Sequence, residues 1–347
     1  MELEITTQAT DLECGGHIDA SIRKPAARSV QKWAVMVGKV LVSGLLLGAL
    51  VSRVSFTKSI ALITNVSGWW IVLILILLLV QFPIAAFRWR AVLQVCDVHA
   101  SFLRLQNLLW IAQFINQAMP TFLVGDAVRA WYLCRDGNTA GNVIRGVLLD
   151  RIAGIAGLIL LLVMLSEPIL HRLPSAAGWS IVMFASSSAG AMIVALLAVG
   201  ACVKFGFRIR WSALEGLLTD TWLIVTDYPR ACLIAAAAVG SYLLASVATF
   251  LLASDLSIGL KLSDSLTLVP VALLASLVPI SFAGWGLRES AFVFLLGSIG
   301  IPPEKALALS ICYGGTAFIA ALPGGLIWLA VLVARRPQFA NEKPHAA

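Results

Sequence analysis

The sequence predicts an all-α polytopic membrane protein with about six full transmembrane helices plus two re-entrant helical hairpins in an inverted repeat. Three observations lead there. The first is composition: 60% of the 347 residues are hydrophobic and only 12% are charged, against roughly 45–50% and about 25% in soluble globular chains. The second is that apolar stretches of about 18 or more residues recur along the chain, each long enough to cross a hydrocarbon core. The third is a helix-breaking pattern written twice in apolar surroundings. Pro120-Thr-Phe-Leu-Val-Gly125-Asp126-Ala-Val-Arg129 and Pro279-Ile-Ser-Phe-Ala-Gly284-Trp-Gly286-Leu-Arg288-Glu289 share the spacing of Pro, Gly and Arg.

The formal net charge of +7 comes from basic residues in short segments between apolar runs. That is the pattern of cytoplasmic loops, not of a nucleic-acid surface, so no nucleic-acid partner is expected. The six cysteines stand apart, with no pair at metal-ligand spacing; no metal site or disulfide framework is expected.

Taken in order, residues 1–32 read as a disordered cytoplasmic tail, residues 33–335 as the transmembrane domain and residues 336–347 as a second cytoplasmic tail. The first span runs from Trp33 to Val51. The second runs from Gly68 to Phe87 and ends in Arg88-Trp89-Arg90, where an aromatic between cations suits the headgroup region; a lipid-phosphate contact at Arg88 is the other reading. Asn65-Val-Ser67 matches a glycosylation sequon, a weak signal on its own. The stretch from Leu103 to Val124 is apolar but laced with Gln106, Asn107, Gln113, Asn116 and Gln117, and both its flanks are basic. A hairpin that dips in and returns satisfies those flanks better than a crossing, and backbone broken at membrane depth must line a wet cavity or lie in protein.

Further spans run from Val143 to Ser166, with Asp150-Arg151 near the inner end, from Gly178 to Val203, from Ala231 to Ala253 and from Ala306 to Val333. Between the second and third of these, Phe207 to Tyr228 reads as an amphipathic interfacial helix. Arg335-Arg336 places the last span's end inside. Ser265 to Gly300, which holds the second break, must then begin and end outside. The two breaks thus dip from opposite faces, as in transporters whose broken helices meet at a substrate site.

At each break proline removes a backbone donor and glycine permits unusual dihedrals. New helices are expected just after Gly125, with Asp126 as N-cap, and near Gly286. Helix starts favour anions, and Arg129 and Arg288 lie within the first turn, where a guanidinium fork suits a phosphate oxygen pair. The competing reading is that each arginine neutralises its own neighbour, Asp126 or Glu289. Asp150 and Arg151 point about 100° apart on a helix, so one of them must reach across to another span. Charges inside a membrane cost about 2.5–3.5 kcal/mol each on insertion scales and mark functional candidates. The expected substrate-binding set is therefore Arg129, Arg288, Arg151, Asn116, Gly125, Gly284 and Arg88, with Asp126, Asp150 and Glu289 able to couple protons. No catalytic constellation, metal set, cofactor motif or phosphate-cradling glycine loop is present in the sequence.

Several of these motifs together resemble a known family, the lysylphosphatidylglycerol synthase transmembrane-region family, also called flippase-like, over roughly residues 34–335. The resemblance rests on Phe87-Arg-Trp-Arg90, Asn116, Pro120, Gly125-Asp126, Arg129, Asp150-Arg151-Ile-Ala-Gly154, Pro279-Ile-Ser281, Gly284-Trp-Gly-Leu-Arg-Glu289 and Pro323-Gly324-Gly325. Val124 stands where the family commonly has the first of two glycines. In fused members this region is thought to translocate a lipid made by a C-terminal aminoacyltransferase domain. This chain stops shortly after its last span, so the resemblance implies a stand-alone translocation module and not an enzyme. The expectation is an inner-membrane protein, termini cytoplasmic, that moves or helps to move an anionic lipid between leaflets. The alternatives are an enzyme acting on a lipid-linked substrate and a non-catalytic scaffold for lipid-biosynthesis enzymes.

Overall fold

The computed structural model describes residues 41–45, 48, 56–64, 67–119, 123–205, 212–276 and 285–334. Among them there is no strand. The elements are α1 Phe56–Ile63, α2 Gly68–Val95, α3 Phe102–Ala118, α4 Leu123–Arg135, α5 Ala140–Met164, α6 Ser166–Arg172, α7 Ser175–Lys204, α8 Ser212–Thr226, α9 Tyr228–Asp255, α10 Leu262–Ser276, α11 Leu287–Gly297 and α12 Pro303–Ala334. Most of the first expected span, both tails, Asn65 of the sequon, Pro120, Pro279 and Gly284 lie outside the described residues.

Five of these helices, α2, α5, α7, α9 and α12, are long and apolar enough to cross a membrane. The protein is a multi-pass, all-α membrane protein. Helix α7 makes the physical case most directly: only 6% of its apolar window is buried, and Met183, Phe184, Ile193, Val194 and Leu197 face outward. An apolar face of that extent is stable against lipid and not against water. Two short helices, α1 and α6, lie between stretches read from the sequence as spans. The Ser59 hydroxyl of α1 donates to the Glu304 carbonyl at 3.1 Å, which ties α1 to the start of α12.

Both breaks are flanked by helices that are short for a crossing. Helices α3 and α4 have 17 and 13 residues and α10 and α11 have 15 and 11, so none exceeds roughly 26 Å at 1.5 Å per residue, against a core of about 30 Å. Ser101 caps α3 by accepting from the Arg104 N–H at 3.3 Å. Gly286 precedes α11 at φ +88°, a left-handed conformation that glycine adopts without a Cβ penalty. Helix α4 differs from expectation: it begins at Leu123, before Gly125, so Asp126 sits inside the first turn and is not its N-cap.

Helix α2 also departs from the sequence reading, because it continues past Phe87 to Val95. Trp89, expected at the headgroup level, is fully buried. The helix has no breaker there, and its last two turns pack into protein.

Helix α9 packs against α2, α5 and α10, and α12 packs against α3 and α11. Small residues allow the closest approaches, as in membrane bundles generally: Gly157 of α5 meets Ala238 of α9, and Gly324 of α12 meets the Trp110 backbone of α3. The apolar core falls into two clusters. One takes Ile74 and Leu78 of α2, Leu158 and Leu162 of α5 and Ala245 and Leu252 of α9. The other takes Trp89 and Val92 of α2, Val143 and Val147 of α5 and Ile234 of α9. On all three helices the core is interrupted at the same place, by residues 81–88, 150–155 and 241–242. A cavity lies there.

A β-carbon on Gly324 would collide with the Trp110 carbonyl oxygen, a backbone atom that cannot swing aside, whereas one on Gly315 meets nothing within 4 Å. Gly324→Ala is expected to destabilise by about 1–3 kcal/mol through overpacking, and Gly315→Ala by no more than about 0.5 kcal/mol. Thermal unfolding of the two variants in detergent checks the contrast.

Candidate functional site

The cavity has a volume of about 400 Å³. Its wall carries Arg88, Asp126, Arg129, Asp150 and Arg151, the neutral polar side chains Gln81, Gln113, Asn116, Ser241 and Tyr242, and an apolar portion that includes Leu78, Leu273 and Ala320.

The five charged side chains form one alternating chain. Arg88 Nε donates to Asp150 Oδ1 at 2.9 Å, and Asp150 Oδ2 accepts from Arg129 Nη1 at 3.0 Å. Arg129 Nε lies 3.0 Å from Asp126 Oδ1, one helical turn back on α4, and Arg151 Nε donates to Asp126 Oδ2. The ion chain thus runs across three helices, from α2 to α5 to α4, before returning to α5. The requirement that Asp150 or Arg151 reach another span is met by both: Asp150 reaches α2 and α4, and Arg151 reaches α4.

Arg129 is the centre of this chain. Its side chain is 2% exposed, and its guanidinium stacks over the Trp89 ring at 4.4 Å. That contact is attractive because the indole face carries negative quadrupole density, and it explains why Trp89 turns inward. The two ends are different. Arg88 pairs with Asp150 and Arg151 with Asp126, and their side chains are more exposed, at 15% and 33%. Gly154 leaves room for the Arg88 guanidinium, whose Nη1 would stand 3.4 Å from a β-carbon at that position. With three guanidiniums and two carboxylates, the chain carries one excess positive charge.

The local fold that holds α4 in place uses two further residues of the expected set. Gly125 N–H donates to Asn116 Oδ1 at 2.9 Å, and a β-carbon on Gly125 would collide with the Ala112 carbonyl oxygen. The glycine that remains at the first break is therefore the one at which the two helix backbones meet. Gly125 and Asn116 set the position of Asp126, and Asn116 and Gln113 also line the cavity.

The second break does not join this constellation. Arg288 donates from Nε and Nη2 to Glu289 Oε1 at 3.0 and 2.6 Å. Its guanidinium lies 5.0 Å from the Trp285 ring centre and nests where Gly314 has no side chain. Glu289 is fully buried and also accepts from Gly286 N–H at 2.6 Å and Ser310 Oγ at 3.4 Å. Of the two readings for Arg288, pairing with its neighbour is the one this geometry contains, and neither residue belongs to the cavity wall. Arg129 likewise takes its neighbour Asp126, and Asp150 besides.

Gln81 and Tyr242 were missed from the sequence. Tyr242 borders the cavity and donates through its hydroxyl to the Gly154 carbonyl at 3.3 Å. Gln81 carried a signal: it is the one polar side chain beyond Trp70 in the apolar run from Gly68 to Phe87. Nothing in the sequence distinguishes Tyr242 from a core tyrosine.

Long apolar helices enclosing a buried ion chain at a central cavity define a polytopic membrane protein with a polar site inside its bundle. The chain belongs to the family described as the lysylphosphatidylglycerol synthase TM region, which matches residues 36–325. That membership implies a membrane function related to lipids. No curated protein matches the chain.

Removing one member of a buried ion network leaves its partners uncompensated, at about 3–5 kcal/mol. Arg129→Met is expected to destabilise by that amount. Arg104→Met, which removes a partly exposed pair with Asp136, is expected to cost about 1 kcal/mol or less. Equal effects of the two substitutions on thermal stability would contradict the central place given to Arg129.

Proposed function

We propose that this protein moves, or assists in moving, an anionic amphiphile between the leaflets of the inner membrane. One observation carries the reading: a cavity amid apolar helices with one excess positive charge and an apolar wall. Such a site matches a ligand with a single negative charge and a hydrocarbon tail. Arg88 and Arg151 are its head-group contacts, because they end the ion chain and are the two more exposed of its arginines. Arg129 locks the chain and so positions both.

The paired breaks support the same reading. Each has short helices on either side, and with both termini read as cytoplasmic we take the first hairpin as a dip from the cytoplasmic face and the second as a dip from the opposite face. Helices so interrupted around a central site are the arrangement of alternating-access carriers. In this protein the second break supplies a closed Arg288–Glu289 pair, which we read as scaffold.

An enzyme acting on a lipid-linked substrate is the weaker reading. A general acid or base needs access to a proton on the substrate, whereas both oxygens of Asp126 and of Asp150 already face guanidiniums. For the same reason these carboxylates are read as counter-ions and not as proton carriers.

The test is a leaflet-sidedness assay with purified protein in proteoliposomes carrying labelled anionic lipids. Arg151→Gln removes one charge-assisted contact worth about 1.5–3 kcal/mol, so transfer is expected to fall by roughly 10- to 150-fold, with folding retained. Transfer at the wild-type rate for every anionic lipid would remove Arg151 from the site. Turnover of a lipid-linked substrate by protein in detergent, where there are no leaflets, would favour the enzyme instead.

A further inference from the structure

Helices α10 and α12 give the cavity wall Leu273, Tyr313, Ala317 and Ala320. The last three recur at spacings of four and three, which puts them on one face of α12. Leu273, Ala317 and Ala320 are apolar, so among the described residues Tyr313 is the one polar side chain that these two helices bring to the wall.

The Tyr313 ring is held by its surroundings. It stacks on Phe292 of α11, with 6.4 Å between centroids and 27° between planes. Its neighbours on α12 clasp the second break: the Ser310 hydroxyl donates to Glu289 Oε1 at 3.4 Å, and Gly314 leaves space for the Arg288 guanidinium. The residue is only 8% exposed. For packing alone, phenylalanine would serve.

The hydroxyl is what packing does not explain. A buried tyrosine ordinarily finds a partner for its O–H, and Tyr242, also on the wall, gives its own to the Gly154 carbonyl at 3.3 Å. The Tyr313 hydroxyl has no hydrogen-bond partner among the described residues. It is not one of the unpaired polar atoms sealed inside the protein either. An unpaired hydroxyl that is not sealed, on a side chain bordering the cavity, is available to what occupies that space.

We propose that Tyr313 is a ligand-contacting residue of the cavity, its hydroxyl donating to an oxygen of the bound amphiphile. The proposal rests on the amphiphile reading above and extends it. The second break, whose charges close on each other, serves the site by holding a neutral donor in place through α12. Such a donor adds affinity for an oxygen-rich amphiphile of the phospholipid class without adding charge.

Equilibrium binding of phosphatidylglycerol and of phosphatidic acid to the purified full chain in neutral detergent tests this, together with thermal unfolding of the lipid-free protein. Tyr313→Phe removes one hydrogen bond and no charge, so affinity is expected to fall roughly three- to tenfold. The lipid-free variant is expected to unfold at the same or a higher temperature, because the hydroxyl has no protein partner to lose. Undiminished affinity in Tyr313→Phe means that only water meets the hydroxyl and overturns the role of Tyr313; weakened binding by Arg151→Gln in the same assay then leaves the amphiphile site standing. A lower unfolding temperature of the lipid-free Tyr313→Phe variant overturns it as well, by giving the hydroxyl a structural task. Failure of wild-type protein to bind either lipid overturns both readings.

Discussion

The cavity depends on the ion chain that runs from Arg88 through Asp150, Arg129 and Asp126 to Arg151. Five charges inside an apolar bundle would each oppose insertion, and they are tolerable only as a set. Every carboxylate oxygen meets a guanidinium, and the middle arginine lies on an indole face. The chain also fixes geometry. It bonds α2, α5 and α4 to one another at the level where the apolar core is interrupted, so the helices cannot collapse into the space between the two core clusters without breaking it. Buried ion networks contribute little net stability compared with apolar packing of the same volume. Their persistence here is more readily understood as holding open a cavity with a defined charge.

Much of this was legible in the sequence, and what was legible shares one character. Locally determined features came through: long apolar helices, the two interruptions, and the pairing of Arg129 with Asp126 three residues back. The demand that Asp150 or Arg151 find a partner elsewhere could be stated from helical geometry alone. The partner itself could not be named, because which helix faces α5 is a matter of packing and not of spacing. Trp89 shows the same limit. Between two arginines at the end of an apolar run it fits a headgroup anchor, but α2 continues for two turns and the indole is drawn inward under the Arg129 guanidinium. Gly125 was visible as a breaker; its second role, letting α4 approach the Ala112 backbone, needed the tertiary structure.

The two breaks look alike in sequence and act differently in the fold, and the difference comes from what stands next to each arginine. At the first break the carboxylate is three residues away, so Arg129 is satisfied only in part by Asp126 and spans the gap to Asp150 on another helix. At the second, Glu289 adjoins Arg288, takes two of its N–H groups and is itself closed off by Gly286 and Ser310. A shift of the acid by a few positions thus separates a charge network that reaches the cavity from one that saturates itself. The fold can then carry one charged network at the cavity, supplied at the first break, while the pair at the second break stays apart from it. A bilayer amphiphile is itself asymmetric, charged at one end and apolar at the other. A symmetric pair of charged breaks would surround its tail with the same groups that hold its head. One network facing an apolar wall does not, and under the proposed amphiphile reading the closure of Arg288 onto Glu289 suits this cavity as much as the place of Arg88 and Arg151 at the ends of the ion chain.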